Sequence, residues 1–490
     1  MKIKYLLLMT ALMSSLSVVK AQEKTASEQL DQLFSYCYEN GMFNGTVHIT
    51  KDGKTLLKKA YGFADIEKKQ KLKTSSAFYL ASLSKHFTAF SIALLEDDGK
   101  LKYDAAVRQY LPDFQYPNIT IEHLLHHTSG IPEYKKMLNQ QKEKLASRYE
   151  KTGQKVTNDE LAGIMTKMQL PLDFEPGTNF EYSNSGYMYL ALIVEKVSGN
   201  NFADFLEKRI FHPLQMTSSG LIGDDNAENA VSAYKTTLYG EQIPYNVPNF
   251  FGIYGDGGIY SSADDLAKWE KALRNHTLLN KEKSVALYET PLVNGKESPY
   301  GMGWFVRELP FNRAKAVTHS GIFVGYTNSM FRELGNETTS IVLSNNSHSS
   351  NGEINRALVR ILYGMPFEFP KIPASKILSK TLLAEGIQKA EVFYEDQKSN
   401  EKYDFSEDEL NRLGYDLLEL DKMDEAIAIF KINLKAHPES ANVYDSLGEA
   451  YLKSGNNEMA LKNYRIAFEK DPENLNAKKI IERLSQSKND

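Results

Sequence analysis

The chain predicts an α+β domain, an antiparallel sheet flanked by helices with a mostly helical region between its strands, followed by an all-α tail. Three observations carry this expectation. Strand-like runs at 45–50 and 55–60 flank Lys51-Asp52-Gly53-Lys54, and Asp-Gly between alternating runs marks a hairpin because its turn needs positive φ. A second pair of runs, 323–332 and 338–344, surrounds the turn at 333–336, so the sheet joins both ends of the domain. Beyond Pro366, Leu413-Gly414 recurs as Leu447-Gly448, 34 residues further on.

Taken in order, residues 1–21 carry Lys2 and Lys4 ahead of an apolar run broken by Ser14, Ser15 and Ser17. Such a run is too short and too interrupted to span a bilayer and reads as a secretory signal, with an uncleaved anchor as the alternative. The expectation is export, to a periplasm or outside the cell, with no transmembrane segment after signal cleavage. With Cys37 as the single cysteine, no intramolecular disulfide is available and packing must hold the fold. The main domain is expected over 22–365. It begins with a helix at 28–38, runs helical and mixed to about residue 280 and ends with a helix at 353–362.

Pro366, Pro370 and Pro373 open a linker and flanking helix over 366–405, the helix placed at 380–393. The remainder, 406–490, is helical and charged. The 34-residue offset links Ala426 to Ala460, Phe430 to Tyr464 and Pro438 to Pro472. Small residues permit close helix crossing and the proline ends the second helix of each pair, which is the tetratricopeptide pattern. Two such pairs are fewer than usually stand alone, so the unit is expected to pack on flanking helices such as 380–393 and 476–484. A groove for a protein partner and a plain helical cap fit the pattern equally.

The 490 residues contain 58 Lys+Arg and 63 Asp+Glu, a net charge of −5, with 42% apolar and 25% charged residues. This is the composition of a folded soluble protein of more than one domain. A balance so near neutral offers no electrostatic reason for a nucleic-acid partner.

Ser82-Leu-Ser-Lys85 matches Ser-x-x-Lys, as do four other stretches, but only Ser82 opens a long apolar helical run. A helix starting there sets Ser82 and Lys85 one turn apart on one face. A desolvated lysine loses its proton near neutral pH and serves as a base; the competing reading is a serine cap beside a solvated lysine. Tyr182-Ser183-Asn184 sits on a loop between Pro176-Gly177 and an apolar helix at 187–197. A lysine ammonium nearby would favour the Tyr182 phenolate and make it a proton shuttle. Asn184 has an amide that can hold either the lysine or a substrate carbonyl.

His319-Ser320-Gly321 precedes a strand-like run at 322–326. Gly321 is placed where backbone approaches a ligand closely, and the Ile322 amide, with that of Ser82, supplies an oxyanion hole. The literal Lys151-Thr152-Gly153 lies in a polar stretch and reads as a solvated helix end. His126 and His127 diverge if helical and have no partner at ligand spacing, so no metal is expected. No cofactor is implied either. Residues 244–251 form an aromatic loop that is a candidate substrate wall.

Ser-x-x-Lys, Tyr-x-Asn and His-x-Gly in this order resemble the serine β-lactamase and penicillin-binding protein superfamily, above all its class C-related serine hydrolases. The segments 124–130, 255–262 and 300–304 support the likeness, which covers about residues 28–365. The resemblance implies a β-lactamase/transpeptidase-like fold and an acyl-enzyme on Ser82. Lys85 and Tyr182 would be general base and proton relay, and Asn184, His319, Gly321 and Ile322 would line the substrate site. The departure is His319, where β-lactam-recognising members generally carry lysine. A largely neutral histidine offers no fixed charge to a substrate carboxylate. Ester or peptide-like amide cleavage is therefore the expectation, with β-lactam or D-amino-acid peptide turnover, or a non-catalytic scaffold, as alternatives. Tyr182→Phe is expected to lower turnover about a hundredfold with folding unchanged; an unaltered steady-state rate would remove Tyr182 from the chemistry.

Overall fold

The structure, a computed structural model, describes residues 24–222, 230–238, 241–245, 248, 250–346 and 351–486. The signal expected over 1–21 lies outside them. No helix among the described residues is long and apolar enough to cross a membrane.

Six strands form the principal sheet: β1 (Gly45–Lys51), β2 (Lys54–Tyr61), β3 (Phe305–Glu308), β4 (Lys315–Phe323), β5 (Tyr326–Glu333) and β6 (Thr339–Ser344). Their spatial order is β3-β4-β5-β6-β1-β2, antiparallel throughout. The hairpin between β1 and β2 turns at Asp52 (φ +49) and Gly53 (φ +75), as the Asp-Gly signal required. β1 then pairs with β6, Gly45 opposite Ser344, which joins the two ends of the domain. β5 and β6 are buried at every position, because helices cover both faces of the sheet.

On one face lie α1 (Ala26–Glu39) and a helix near the domain's end, residues Asn351–Leu362. Leu30, Leu33 and Phe34 pack there with Val47, Ile354 and Leu358. Thr25 and Glu28 close the capping box of α1, satisfying two free backbone N–H groups. The opposite face carries the larger core, entered by α2 (Lys85–Asp97), α3 (Asn184–Ser198) and α4 (Ala263–Arg274). Every residue of α2 from Lys85 to Leu95 is buried, the polar Lys85, His86, Thr88 and Ser91 included, so the core encloses this helix on all sides.

Three expectations need correction. The run 323–332 is not one strand: Phe323 ends β4, Val324 (φ +37) and Gly325 (φ +81) form a tight turn, and β5 begins at Tyr326. Val324 looks like a strand residue by composition, so the turn was hidden beside its glycine. His319 to Ile322 therefore lie within β4 rather than ahead of a strand. The single helix expected at 380–393 is two, Ala374–Glu385 and Ile387–Gln397, because Gly386 adopts φ +91 between them.

The helices of the tail, Glu407–Glu419, Met423–Ala436, Ala441–Lys453, Asn457–Lys470 and Leu475–Gln486, follow one another through short turns. Their apolar residues form a separate core. A Cβ on Gly414 would lie 2.4 Å from the Phe430 ring and one on Gly448 would lie 3.1 Å from Tyr464, so each glycine admits an aromatic ring from the next helix. The helix Ala374–Glu385 ahead of the tail is seated on the main domain: the Ser379 hydroxyl donates to the Leu238 carbonyl at 2.8 Å, and the Lys376 ammonium donates to the Gly41 carbonyl.

Candidate active site

Ser82 lies in a 3-10 turn, Ala81–Ser84, and the α-helix proper begins at Lys85. This corrects the expectation of a helix from Ser82 onward; the three-residue spacing still sets the two side chains together. The chain enters the turn through Ala81 at φ +51, a conformation costing a residue with a Cβ about 1–2 kcal/mol. The Leu80 N–H donating to the Ile259 carbonyl at 2.8 Å and the Ile259 N–H donating to Ser84 Oγ at 3.1 Å hold it.

Lys85 is fully buried. Its Nζ lies 3.3 Å from Ser82 Oγ, 2.9 Å from Asn184 Oδ1 and 2.8 Å from the Asp256 carbonyl. It also stands over the rings of Tyr182 and Tyr187, 4.9 and 5.5 Å from their centroids. Burial lowers its pKa to about 8, against the opposing pull of Asp256 and Glu133. A neutral Lys85 donates two N–H groups to the Asn184 and Asp256 oxygens and keeps one lone pair for the Ser82 hydroxyl.

Tyr182 and Asn184 sit where α3 begins, with Ser183 as its N-cap accepting from the Gly186 N–H. Burial raises the Tyr182 pKa, and Asp256 and Glu133 add to the rise, while Ser82 and Lys135 oppose it. The expectation of a favoured phenolate is thereby corrected: desolvation outweighs the neighbouring cation, so the side chain is a neutral phenol. Asn184, open between two partners in the sequence, has its oxygen on Lys85 and its nitrogen on Glu133 Oε2 at 3.1 Å.

His319 is buried in β4, opposite Met330. Its Nδ1 lies 2.7 Å from the Ser320 carbonyl, which only accepts, so Nδ1 carries the proton. Nε2 accepts from Tyr300 Oη at 3.0 Å, with Tyr182 Oη at 3.5 Å. Burial, aided by Lys85, lowers its pKa to about 3, leaving a neutral ring with no charge to offer. Gly321 lies against the Ser82 turn, where a Cβ would fall 2.0 Å from the Leu80 carbonyl. Its small size thus serves contact between β4 and the turn rather than with a ligand. Ile322 is 71% exposed, and β3 pairs with β4 only up to Thr318, so among the described residues the β4 edge at 319–323 has no strand neighbour on that side.

Sequence reasoning assigned no role to four groups around this centre. His127, at φ +59, accepts from the Ser183 N–H through Nδ1 at 3.1 Å and from the Glu181 N–H through its carbonyl at 3.0 Å. It therefore grips the chain on both sides of Tyr182. Tyr300 supplies the hydroxyl on His319. Asp256 presents its carbonyl to Lys85, and its carboxylate accepts from Tyr134 Oη at 2.9 Å. Glu133 holds Asn184. His127, Asp256 and Tyr300 lie in the supporting segments, but nothing local signals the contacts they make across the chain. Trp304 is core, stacked on the buried His86 at 3.5 Å. Lys151-Thr152-Gly153 is the exposed C-terminal end of the helix Lys142–Thr152. Of the aromatic loop, 246, 247 and 249 lie outside the described residues; Phe251 packs on Phe323, ring centroids 5.5 Å apart.

Residues 27–363 match the sequence model of the Beta-lactamase family. The chain belongs to that family. Penicillin-binding protein 4* of Bacillus subtilis strain 168 is 34% identical over 368 residues, covering 71% of this chain and 79% of its own. The D-aminopeptidase of Gluconobacter oxydans strain 621H is 26% identical over 66% of this chain and 59% of its own. Among solved structures, the octameric penicillin-binding protein homologue from Pyrococcus abyssi superposes with a TM-score of 0.59 at 25% identity, covering 71% of this chain and 80% of that one. The protein is accordingly a serine hydrolase of the beta-lactamase family, with the β-lactamase/transpeptidase-like fold. Gly321→Ala is expected to destabilise it by about 1–3 kcal/mol, since overpacking against backbone finds no relief. A melting temperature equal to wild type would contradict that contact.

Proposed function

We propose that the protein is exported and cleaves an ester or peptide-like amide through an acyl-enzyme on Ser82. The observation that carries the reading is Lys85, buried beside Ser82 with two fixed acceptors and a pKa lowered to about 8. Ser82 Oγ attacks the substrate carbonyl carbon and its proton passes to Lys85 Nζ. The oxyanion that forms lies toward the backbone N–H groups of Ser82 and Ile322. As it collapses, the neutral Tyr182 phenol relays a proton to the departing oxygen or nitrogen. Water then attacks the acyl group, giving up a proton to Lys85 and Tyr182, and that proton passes to Ser82 Oγ as the acyl bond breaks.

His319, neutral and accepting from Tyr300, lacks the fixed charge that a substrate carboxylate needs, which favours uncharged esters and amides over β-lactams. The name of the D-aminopeptidase relative supports D-amino-acid amides within this class. The likeness to penicillin-binding protein 4* keeps β-lactam and cell-wall peptide turnover as the second reading. Residues 406–490 we read as a tetratricopeptide unit that takes a protein partner, on the 34-residue repeat and the glycine-aromatic contacts of Gly414 and Gly448. Export rests on the sequence of residues 1–21.

A serine-directed fluorophosphonate is expected to label the wild type and not Ser82→Ala; folded wild type that stays unlabelled would leave only a scaffold role. Across chromogenic esters, D-aminoacyl anilides and a chromogenic β-lactam, the first two should dominate, and a β-lactam preference would refute the reading of His319. Lys85 must be neutral to accept the proton, so kcat/KM should climb as pH rises through about 8. With the His319 pKa lowered to about 3, that residue adds no limb between pH 5 and 9. A profile flat across pH 6 to 9 would contradict Lys85 as base.

A further inference from the structure

An amide can face Lys85 by either end, and the two ends have opposite effects. With Oδ1 toward the amine, Asn184 accepts one N–H and leaves the lone pair for Ser82. With the NH2 toward it, two donors confront each other and the lone pair turns to Asn184 instead. Glu133 decides between them. Its Oε2 accepts the Asn184 backbone N–H at 2.9 Å and the side-chain Nδ2 at 3.1 Å, while Oε1 accepts the Lys135 N–H at 3.2 Å. A carboxylate held at three points can present only acceptors to the amide, so the NH2 end must face it.

We propose that Glu133 is a positioning residue: its carboxylate locks the Asn184 amide with the oxygen on Lys85, keeping the Lys85 lone pair aimed at Ser82. The proposal rests on the assignment of Ser82 and Lys85 as nucleophile and base. Its partner constraint, the Asp256 carbonyl, is fixed by backbone: the Thr88 hydroxyl donates to the Gly255 carbonyl at 2.7 Å, and Gly255 (φ +99) leaves no room for a Cβ against the Tyr187 carbonyl. Of the two acceptors that hold the amine, only Asn184 is free to turn over, and Glu133 is what prevents it.

The groups facing Lys85 from the surrounding elements are Asp256, Glu133, Tyr182, Tyr187, His86, His127 and His319. The carboxylate of Asp256 is engaged by Tyr134 and, at 4.0 Å, by Lys135. Removing the Glu133 charge takes away one of the two anions that favour the ammonium form. A flipped amide opposes the ammonium as well, so both effects move the Lys85 midpoint the same way, to lower pH.

The test is the pH profile of kcat/KM on a chromogenic ester, with active sites counted by fluorophosphonate labelling. Glu133→Gln, whose own amide can meet Asn184 by either end, is expected to shift the rising limb at least about half a pH unit lower and to reduce the plateau about tenfold. Adding Asn184→Asp returns a carboxylate to the amine and should bring the midpoint back to or above that of wild type. A Glu133→Gln profile that superposes on wild type, or is scaled down with its midpoint unmoved, overturns the proposal, because a merely structural role lowers the rate without moving the limb. If Glu133→Gln alone does not fold, the double variant is compared directly with wild type, and a midpoint below wild type overturns the proposal. Wild type that fails to label at Ser82 would sink the functional reading itself, whereas an unmoved midpoint in a labelled variant defeats only the role of Glu133.

Discussion

A primary amine taken wholly out of water governs the arrangement of this molecule's main domain. Lys85 makes no ion pair among the described residues; its Nζ meets two neutral oxygens and a hydroxyl. Burying a charge without a paired counter-ion is expensive, and the group answers by giving up its proton more readily. That response is useful only if the vacated lone pair points at something. The turn at Ala81–Ser84, the loop carrying Asp256 and the start of α3 all converge to give it a direction. The surrounding aromatic rings keep water away and so preserve the depressed pKa.

The sheet serves this convergence. By pairing β1 with β6 it ties the first and last strands of the domain together, leaving α2 to run buried against one face. β4 then brings His319 and Gly321 against the turn, and among the described residues its edge beyond Thr318 is left without a strand neighbour. Neutrality at His319 has the same origin as the mild basicity of Lys85: both are buried, and burial disfavours whichever form is charged. One physical cause thus creates a base and removes an anion site in the same cluster.

Much of this was legible in the residues. Asp52-Gly53 specified the first hairpin, the apolar run after Ser82 specified α2, and the recurrence of Leu-Gly specified the spacing of the tail helices. The three triplets were singled out by their local context, and the structure brings Ser82, Lys85, Tyr182, Asn184 and His319 into one cluster. What escaped were effects of environment. The sign of the Tyr182 shift depended on how much water the fold excludes, which no local pattern records. The turn at Val324-Gly325 escaped because valine there carries a strand signal. The break at Gly386 escaped because a single glycine inside a helical pattern is often tolerated.

By itself the sequence determined most of the elements and the chemistry they can carry, because periodicity, turn residues and spacing within one turn are short-range properties. It determined that a serine and a lysine stand three residues apart where a helix opens, and that a histidine stands where the family it resembles generally carries a lysine. Tertiary structure alone decided which end of the Asn184 amide meets the lysine and that Glu133 and Asp256 stand behind it. It also decided that the phenol stays protonated. Those outcomes depend on desolvation and on hydrogen bonds between residues up to 171 positions apart, and both exist only once the chain has closed on itself.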